Sequence, residues 1–141
     1  MSENLEKLAR QGLEDFNRSD WEAMRQSMAP DYVYEETGTG ARADGVDALV
    51  EMCKTWKGAT SDLTGEVARI VVDGDTVAME IRWQGTHDGP LPLPSGELAA
   101  TGRPMELWAT MWQTYRDGLL VHERHHLDIL SMLGQLGALS S

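Results

Sequence analysis

The sequence contains a single cysteine, Cys53, among its 141 residues. One cysteine can form no internal disulfide and cannot build a metal site from several thiolates. The chain also has no run of about 18 apolar residues, the length that a membrane-spanning helix needs. Its charged start, MSENLEKLAR, has no apolar segment of the kind found in secretory signals. We therefore expect a cytoplasmic protein.

Basic residues are also scarce. The chain has 12 Lys and Arg against 23 Asp and Glu, which gives a formal net charge of −11. Nucleic acids and anionic membrane surfaces repel a body with this charge, so we expect neither as a partner. The hydrophobic fraction of 41% is ordinary for a globular protein, and the length predicts one domain over residues 1–141.

Three segments in the first half of the chain have apolar residues at helical spacing. They predict helices at about residues 3–17, 21–29 and 45–57. We expect Ser19 or Asp20 to cap the second helix and Asp44 to cap the third, because such side chains accept hydrogen bonds from the first turn. Between these two helices, the alternating stretch DYVYEE predicts a strand at residues 31–36.

The second half of the chain is rich in β-branched and aromatic residues, which favour strands. Two such runs flank Asp73-Gly74-Asp75 and two more flank Asp117-Gly118, so hairpins are predicted at both places. Residues 88–102 contain three prolines and three glycines and are predicted to form a loop, and ILSMLGQL predicts a short last helix. Helices that come first and strands that come last indicate an α+β fold. We expect a curved antiparallel sheet that wraps over the helices and encloses a pocket.

The stretch HERHH, residues 122–126, matches the H-E-x-x-H pattern of zinc proteases. That pattern requires a helix, where residues i and i+4 are about 5–6 Å apart. The preceding turn and the run LLV favour a strand, on which His122 and His126 would be about 13 Å apart at roughly 3.3 Å per residue. A helix stays an alternative on the residues alone, but a zinc site also needs a third ligand, and no Asp, Glu, His or Cys follows Asp128. An upstream ligand such as His87 would be an unusual order. We therefore expect no metal here.

The C-terminal stretch DGLLVHERHHLDILSMLGQLG, residues 117–137, resembles the SnoaL-like polyketide cyclases of the NTF2-like superfamily. In that family a D-G turn leads into a strand with a polar cluster, and a short tail ends in Q-L-G. The opening helices, DYVYEE and TGRP at residues 101–104 are also similar to the family. The resemblance implies a cone-shaped α+β domain, commonly a homodimer, which needs no cofactor and does acid–base chemistry on hydrophobic carbonyl compounds.

The resemblance also assigns residues to a site. The acid/base aspartate of the family corresponds to His125, and the histidine on the preceding strand corresponds to Met111. A second family acid corresponds to Asp128. Because both usual residues are replaced, we do not expect the intramolecular aldol cyclisation to proceed with the usual pair of residues. The replacements also keep open a different class of function, a ligand-binding or dimerisation module without catalysis.

Strand alternation divides residues 121–127 into two faces. The resemblance points Glu123 and His125 into the pocket, and histidine suits proton transfer near neutral pH because its ordinary pKa is about 6.5. We predict that His125 moves the proton and that Glu123 supports it. Should the opposite face line the pocket, Arg124 and His126 join Asp128 in it, and Asp128 becomes the catalytic candidate. A solvated strand face with a salt bridge between Glu123 and His125 is the alternative without a function.

Further residues are predicted to line the pocket and to bind the substrate. On the strand of Met111, the same parity selects Ala109 and Gln113. Aromatic walls would suit a flat, apolar ligand. The predicted substrate contacts are Tyr34, Trp83, His87, Ala109, Met111 and Gln113. Trp108 and Trp112 would lie on the outer face, where we expect a second subunit to cover them.

These patterns together predict a SnoaL-like enzyme that does cofactor-free acid–base chemistry of the cyclase, isomerase or dehydratase type. Its expected ligand is a small hydrophobic carbonyl compound, and its expected assembly is a homodimer.

Overall fold

The computed structural model describes residues 2–139, so Met1, Ser140 and Ser141 of the predicted domain lie outside the described range. Within that range the helices are α1 (Ser2–Asn17), α2 (Trp21–Gln26), α3 (Val46–Ala59) and α4 (Ile129–Gln135). The strands are β1 (Met28–Thr37), β2 (Arg42–Asp44), β3 (Thr64–Asp73), β4 (Thr76–Thr86), β5 (Leu91–Leu93), β6 (Gly96–Leu98), β7 (Pro104–Arg116) and β8 (Leu119–Leu127). The prediction of an α+β fold is confirmed.

Six of the strands form one sheet in the order β2-β1-β8-β7-β4-β3. The predicted hairpins are present as the antiparallel pairs β3–β4 and β7–β8. Asp117 and Gly118 both have positive φ, 53° and 77°, as the two-residue turn of a twisted hairpin requires. The sheet differs from the expected antiparallel one in a single respect among the described residues, because β1 pairs with β8 in parallel.

The parallel pair joins the early part of the chain to its last strand. Its register shifts between Met28 and Val33, a stretch that contains Pro30. Proline has no N–H to donate to a neighbouring strand, so it is placed where the ladder is interrupted. Strand β1 starts at Met28, inside the segment that the sequence had predicted as the end of α2. The helix ends earlier, at Gln26.

One face of the sheet is buried against the helices. In β4 the side chains of Val77, Met79, Ile81 and Trp83 are buried in strict alternation, and β7 alternates in the same way from Met105 to Tyr115. Helix α1 packs against β3 and β4, and α3 packs against β1 and β2. The sheet and the helices thus form the two sides of an apolar interior.

The start of α3 differs from the prediction. Asp44 belongs to β2, where its carboxylate accepts a hydrogen bond from Arg42, and it does not cap the helix. The capping position is Gly45, which has a φ of 93° and contributes no side chain. The chain turns from β2 into α3 through this left-handed conformation, which glycine adopts without strain. Asp20 caps α2 as predicted, because its side chain accepts a hydrogen bond from the N–H of Ala23.

The proline- and glycine-rich segment is more ordered than predicted. It contains a two-stranded hairpin, β5–β6, which is separate from the main sheet. Its start is attached to the end of α3, because the N–H groups of Asp88 and Gly89 both donate to the carbonyl of Ala59. A Cβ atom at position 89 would overlap the backbone of Gly58, so only glycine fits this approach.

Among residues 2–139, no helix combines the length and the apolar character that a membrane crossing requires.

Candidate functional site

A cavity of about 280 Å³ lies between the sheet and the helices. Its size is close to the lower end of the range for small-molecule sites. Most of its wall is apolar, with contributions from α1, α2, α3 and the inward faces of β4, β7 and β8. The larger apolar side chains in the wall are Leu8, Leu13, Phe16, Met24, Leu49, Met52, Trp56, Met79, Ile81, Met105, Leu107 and Met111.

The polar side chains in the wall come from neighbouring strands. The register pairs Glu36 of β1 with His125 of β8, and His125 with Met111 of β7. One pleat further along, Tyr34 pairs with Glu123, and Glu123 with Gln113. Residues that are directly opposite on adjacent strands have their side chains side by side. Two rows of side chains therefore cross the apolar wall. Glu36 and His125 are the polar members of one row, and Tyr34, Glu123 and Gln113 form the other.

His125 lies between two hydrogen-bonding partners. The indole Nε1–H of Trp83 donates to its Nε2 at 3.2 Å, and its Nδ1 lies 2.9 Å from the hydroxyl of Tyr34. An indole N–H can only donate, so Nε2 carries no proton and the neutral ring is protonated on Nδ1. Burial disfavours the charged ring and, together with the nearby His126, lowers the pKa of His125 to about 3. The imidazole is neutral at neutral pH.

Tyr34 connects His125 to a buried carboxylate. The Tyr34 hydroxyl donates to Oε2 of Glu36 at 2.6 Å, and the hydroxyl of Thr39 donates to Oε1 at 2.6 Å. Glu36 is 5% exposed. Each carboxylate oxygen therefore has one donor, which is the pattern that an ionised carboxylate satisfies.

Glu123 is the centre of a second group of hydrogen bonds. It accepts from the hydroxyl of Tyr32 and from Nε2 of Gln113, the latter at 2.8 Å. Tyr115 donates to Oε1 of the same glutamine at 3.2 Å and so fixes the orientation of its amide. Burial raises the pKa of Glu123, and the hydrogen bonds from Tyr32 and Gln113 oppose that rise. This carboxyl group is more easily protonated than an exposed glutamate.

Six of the predicted site residues lie in the cavity wall, where the structure brings them together: Tyr34, Trp83, Met111, Gln113, Glu123 and His125. The strand parity is therefore the one that points Glu123 and His125 inward. One expected contact is different. Glu123 was predicted to support His125, whereas the hydrogen-bond partners of His125 are Trp83 and Tyr34.

Three other predicted residues do not line the cavity. Ala109 is buried on the correct face of β7, but its side chain ends at Cβ and contributes no wall. Asp128 is exposed and caps α4, because its carboxylate accepts from the N–H of Ser131. His87 is only 1% exposed but lies beneath the proline-rich segment, where its Nδ1 accepts from the N–H of Thr101. At Asp128 and His87, hydrogen bonds from backbone N–H groups hold the side chains away from the cavity.

The stretch HERHH is part of β8, so the predicted strand is confirmed. His122 and His126 lie on the outer face and have separate partners, Glu35 for the first and Thr37 for the second. Arg124 lies between them and forms an ion pair with Glu35. Within the described part of the chain, no three His, Cys, Asp or Glu side chains are grouped as ligands for one metal ion.

Two further polar residues of the site, Tyr32 and Glu36, were not among the sequence candidates. The signal was present in DYVYEE, because positions 32, 34 and 36 share one face of a strand. Cys53 also lines the cavity, and burial raises the pKa of its thiol to about 12, so the thiol is neutral.

The geometry defines a class of protein, an α+β fold with titratable groups in the wall of an apolar cavity between a curved sheet and its helices. A model of the SnoaL-like polyketide cyclase family matches residues 7–136, and the chain belongs to that family. No curated protein matches the sequence. The fold and the family are those of enzyme-like NTF2 proteins that act on small molecules.

Solved structures agree with this assignment. The chain is similar to AclR from Streptomyces galilaeus, a proposed hydroxylase, with 22% identity, a TM-score of 0.84 and coverage of 100% of this chain and 85% of AclR. It is similar to IdmH from Streptomyces antibioticus, a proposed polyketide cyclase, with 29% identity, a TM-score of 0.80 and coverage of 94% and 97%. An LEH-like epoxide hydrolase of M. tuberculosis shares 17% identity, with a TM-score of 0.73 and coverage of 96% and 90%. The likenesses to AclR and to the epoxide hydrolase show a shared fold.

Proposed function

We propose that the protein is a cofactor-independent acid–base enzyme of the cyclase, isomerase or dehydratase type, and that its substrate is a small, neutral, hydrophobic carbonyl compound. The observation that carries this proposal is the neutral His125 in the cavity wall, with its unprotonated Nε2 bonded only to the indole of Trp83 at 3.2 Å. A substrate C–H group that displaces this long hydrogen bond would meet a lone pair already oriented toward it. A base in this position removes a proton next to a carbonyl without a metal or a cofactor.

Glu123 has a different role in this proposal. Its two oxygens accept from Tyr32 and Gln113, and an ionised carboxylate has about four positions for donors. The remaining positions are available to a hydroxyl group of the substrate. We therefore assign Glu123 to binding and orienting the substrate, and His125 to moving the proton.

The charge of the cavity supports a neutral substrate. Among the described residues of its wall, none is Lys or Arg, and the two carboxylates are Glu36 and Glu123. An anionic ligand would have to leave water for an apolar site that contains like charges and no compensating cation, which is unfavourable.

A simple ketone tests this proposal. β-Tetralone is a neutral bicyclic ketone with acidic protons next to its carbonyl, and in heavy water it takes up deuterium when a base removes them. We expect the wild-type protein to accelerate this uptake, measured by NMR, and a second neutral ketone, methyl naphthyl ketone, to compete. Naphthoate has the same ring system with a carboxylate and should bind at least about tenfold more weakly, a difference of about 1.4 kcal/mol.

The same measurement separates the two classes of function. The positions of the family acid and base are occupied by His125 and Met111, which favours a ligand-binding module as the second candidate. Such a module would bind methyl naphthyl ketone, seen as quenching of tryptophan fluorescence, but would leave deuterium uptake at the rate of buffer alone.

We also propose a homodimer that forms through the outer face of the sheet. Trp108 and Trp112 are 45% and 49% exposed on the outward face of β7, with Thr110 between them on that face, and large exposed aromatic side chains commonly mark an interface. The double substitution Trp108→Glu with Trp112→Glu should yield monomers, because an unpaired charge in an apolar interface costs several kcal/mol.

Sedimentation at micromolar concentration measures this directly. A control is Thr55→Glu, which places the same charge at an exposed position of α3, on the opposite side of the sheet from the two tryptophans, and should leave the dimer intact. A wild-type protein that sediments as a monomer would refute the interface.

A further inference from the structure

A chain of hydrogen bonds leads from the cavity through β1 to the loop between β1 and β2. It connects Trp83 to His125 at 3.2 Å, His125 to Tyr34 at 2.9 Å, and Tyr34 to Glu36 at 2.6 Å. The indole can only donate and the carboxylate can only accept, so each proton between them has one possible position. Nδ1–H of His125 donates to the oxygen of Tyr34, whose own proton points to Glu36. The direction of the chain is from the cavity toward Glu36.

This direction matters because His125 alone is poorly placed to keep a proton. Its burial disfavours the imidazolium ion and lowers its pKa to about 3. A ring that gives away one proton while it receives another remains neutral, and it then avoids the cost of a buried positive charge.

We propose that Glu36 is the final acceptor of the proton that His125 takes from the substrate, and that Tyr34 transfers it. The inference rests on the proposed function, and it adds two residues to the assigned chemistry. The substrate C–H proton moves to Nε2 of His125, the Nδ1 proton moves to the oxygen of Tyr34, and the Tyr34 hydroxyl proton moves to Oε2 of Glu36. The products are the substrate enolate, a neutral His125 protonated on Nε2, a neutral Tyr34 and a neutral Glu36 carboxylic acid. One negative charge has moved from Glu36 to the substrate.

The other end of the chain lies close to solvent. Oε1 of Glu36 accepts from the hydroxyl of Thr39, which is partly exposed in the loop of residues 38–41. The Thr39 oxygen also accepts from the N–H of Ala41 at 3.1 Å, so the side chain is held in place. A proton on Glu36 therefore has an exchange route to water through the loop of residues 38–41.

The adjacent residue Glu35 provides a matched control. It lies on the opposite face of the same strand, where its carboxylate interacts with Arg42, His122 and Arg124. It has the same chemistry one residue away and no connection to the cavity.

The first measurement needs no substrate. Nitrogen NMR of labelled histidine should find His125 neutral and protonated on Nδ1 between about pH 5 and 8. Glu36→Gln should keep this tautomer, because the glutamine oxygen still accepts from Tyr34, but exchange of the Nδ1 proton with water should slow. Glu35→Gln should change neither property. A His125 protonated on Nε2, or an exchange rate that Glu36→Gln leaves unchanged, would overturn the relay.

The second measurement uses deuterium uptake by β-tetralone. Tyr34→Phe and Glu36→Gln should each lower the rate by about 10²-fold, while Glu35→Gln retains it. Formate should restore part of the rate in Glu36→Ala, because it supplies a carboxylate to the space left by the side chain. Thermal melts check that each variant is folded, and Glu36→Asp is a second variant should Glu36→Gln fail to fold.

The two proposals can fail separately. A wild-type protein that does not accelerate the uptake contradicts the proposed function, and the NMR measurement still decides whether the relay exists. Wild-type activity that survives in both Tyr34→Phe and Glu36→Gln contradicts the relay alone.

Discussion

Replacing His125 with alanine should lower deuterium uptake by β-tetralone by roughly 10²–10⁴-fold, the usual contribution of a positioned acid or base. The substitution removes the one unprotonated ring nitrogen that the described part of the cavity wall presents. It also leaves the Trp83 indole and the Tyr34 hydroxyl without their partner, at a stability cost of about 1–3 kcal/mol. His125→Gln is therefore a useful second variant, because its amide oxygen can accept from Trp83 but cannot take up a proton.

Two variants of residues that do not line the cavity serve as controls for this result. His126→Ala removes an exposed histidine bonded to Thr37, and it should retain full activity. Asp128→Asn should also have little effect, since asparagine caps a helix as well as aspartate does. Full activity in His125→Ala, together with lost activity in Asp128→Asn, would move the chemistry to the outer face.

The second large effect concerns the stability of the fold below neutral pH. His125 has a folded-state pKa of about 3, well below its ordinary value of 6.5, because it is buried. Between these two values the unfolded chain binds a proton at this position and the folded protein does not. A depressed pKa gives stability that is present above pH 6.5 and is lost as the pH falls toward 3. The expected loss from this residue is about 1.4 kcal/mol per pH unit.

The contribution of His125 is obtained by difference. Denaturant unfolding at several pH values between about 7 and 4 gives the free energy of unfolding for the wild type and for His125→Gln, which does not titrate. The slope of the wild type should exceed that of the variant. The groups that face His125, namely Tyr34, Glu36 and Trp83, are present in both proteins and cancel in the comparison. Equal slopes for the wild type and His125→Gln would show that folding does not lower the pKa of His125.

Much of the fold follows from local sequence signals. The Asp-Gly turns fix where the long hairpins reverse, and alternation along β7 and β8 points Met111, Gln113, Glu123 and His125 to one side. Those signals act over a few residues, so they are visible in the sequence. The start of α3 was missed because Gly45 can adopt a positive φ, a requirement set by the turn out of β2 and not by the helix.

The partners of the site residues were harder to predict. His125 and Tyr34 are 91 positions apart, and their contact depends on the parallel pairing of β1 with β8, for which no local pattern exists. Glu36 was overlooked for the same reason, although its parity with Tyr34 was visible. His87 and Ala109 were expected in the cavity because of their positions along strands. His87 is instead buried beside the proline-rich segment, where it bonds to Thr101, and the side chain of Ala109 is too short to reach the cavity.

The parallel pairing of β1 with β8 also has a consequence for the order in which the protein becomes functional. Contacts between distant parts of a chain form late in folding, since a long loop must be closed before they add stability. During synthesis, Tyr34 and Glu36 emerge early with β1, whereas Glu123 and His125 emerge only with the final strand. A nascent or truncated chain that ends before β8 can contain every hairpin strand up to β7 and most of the apolar wall. It nevertheless lacks His125, the residue that joins the cavity to Tyr34 and Glu36, so the proton route is complete only after the final strand is in place.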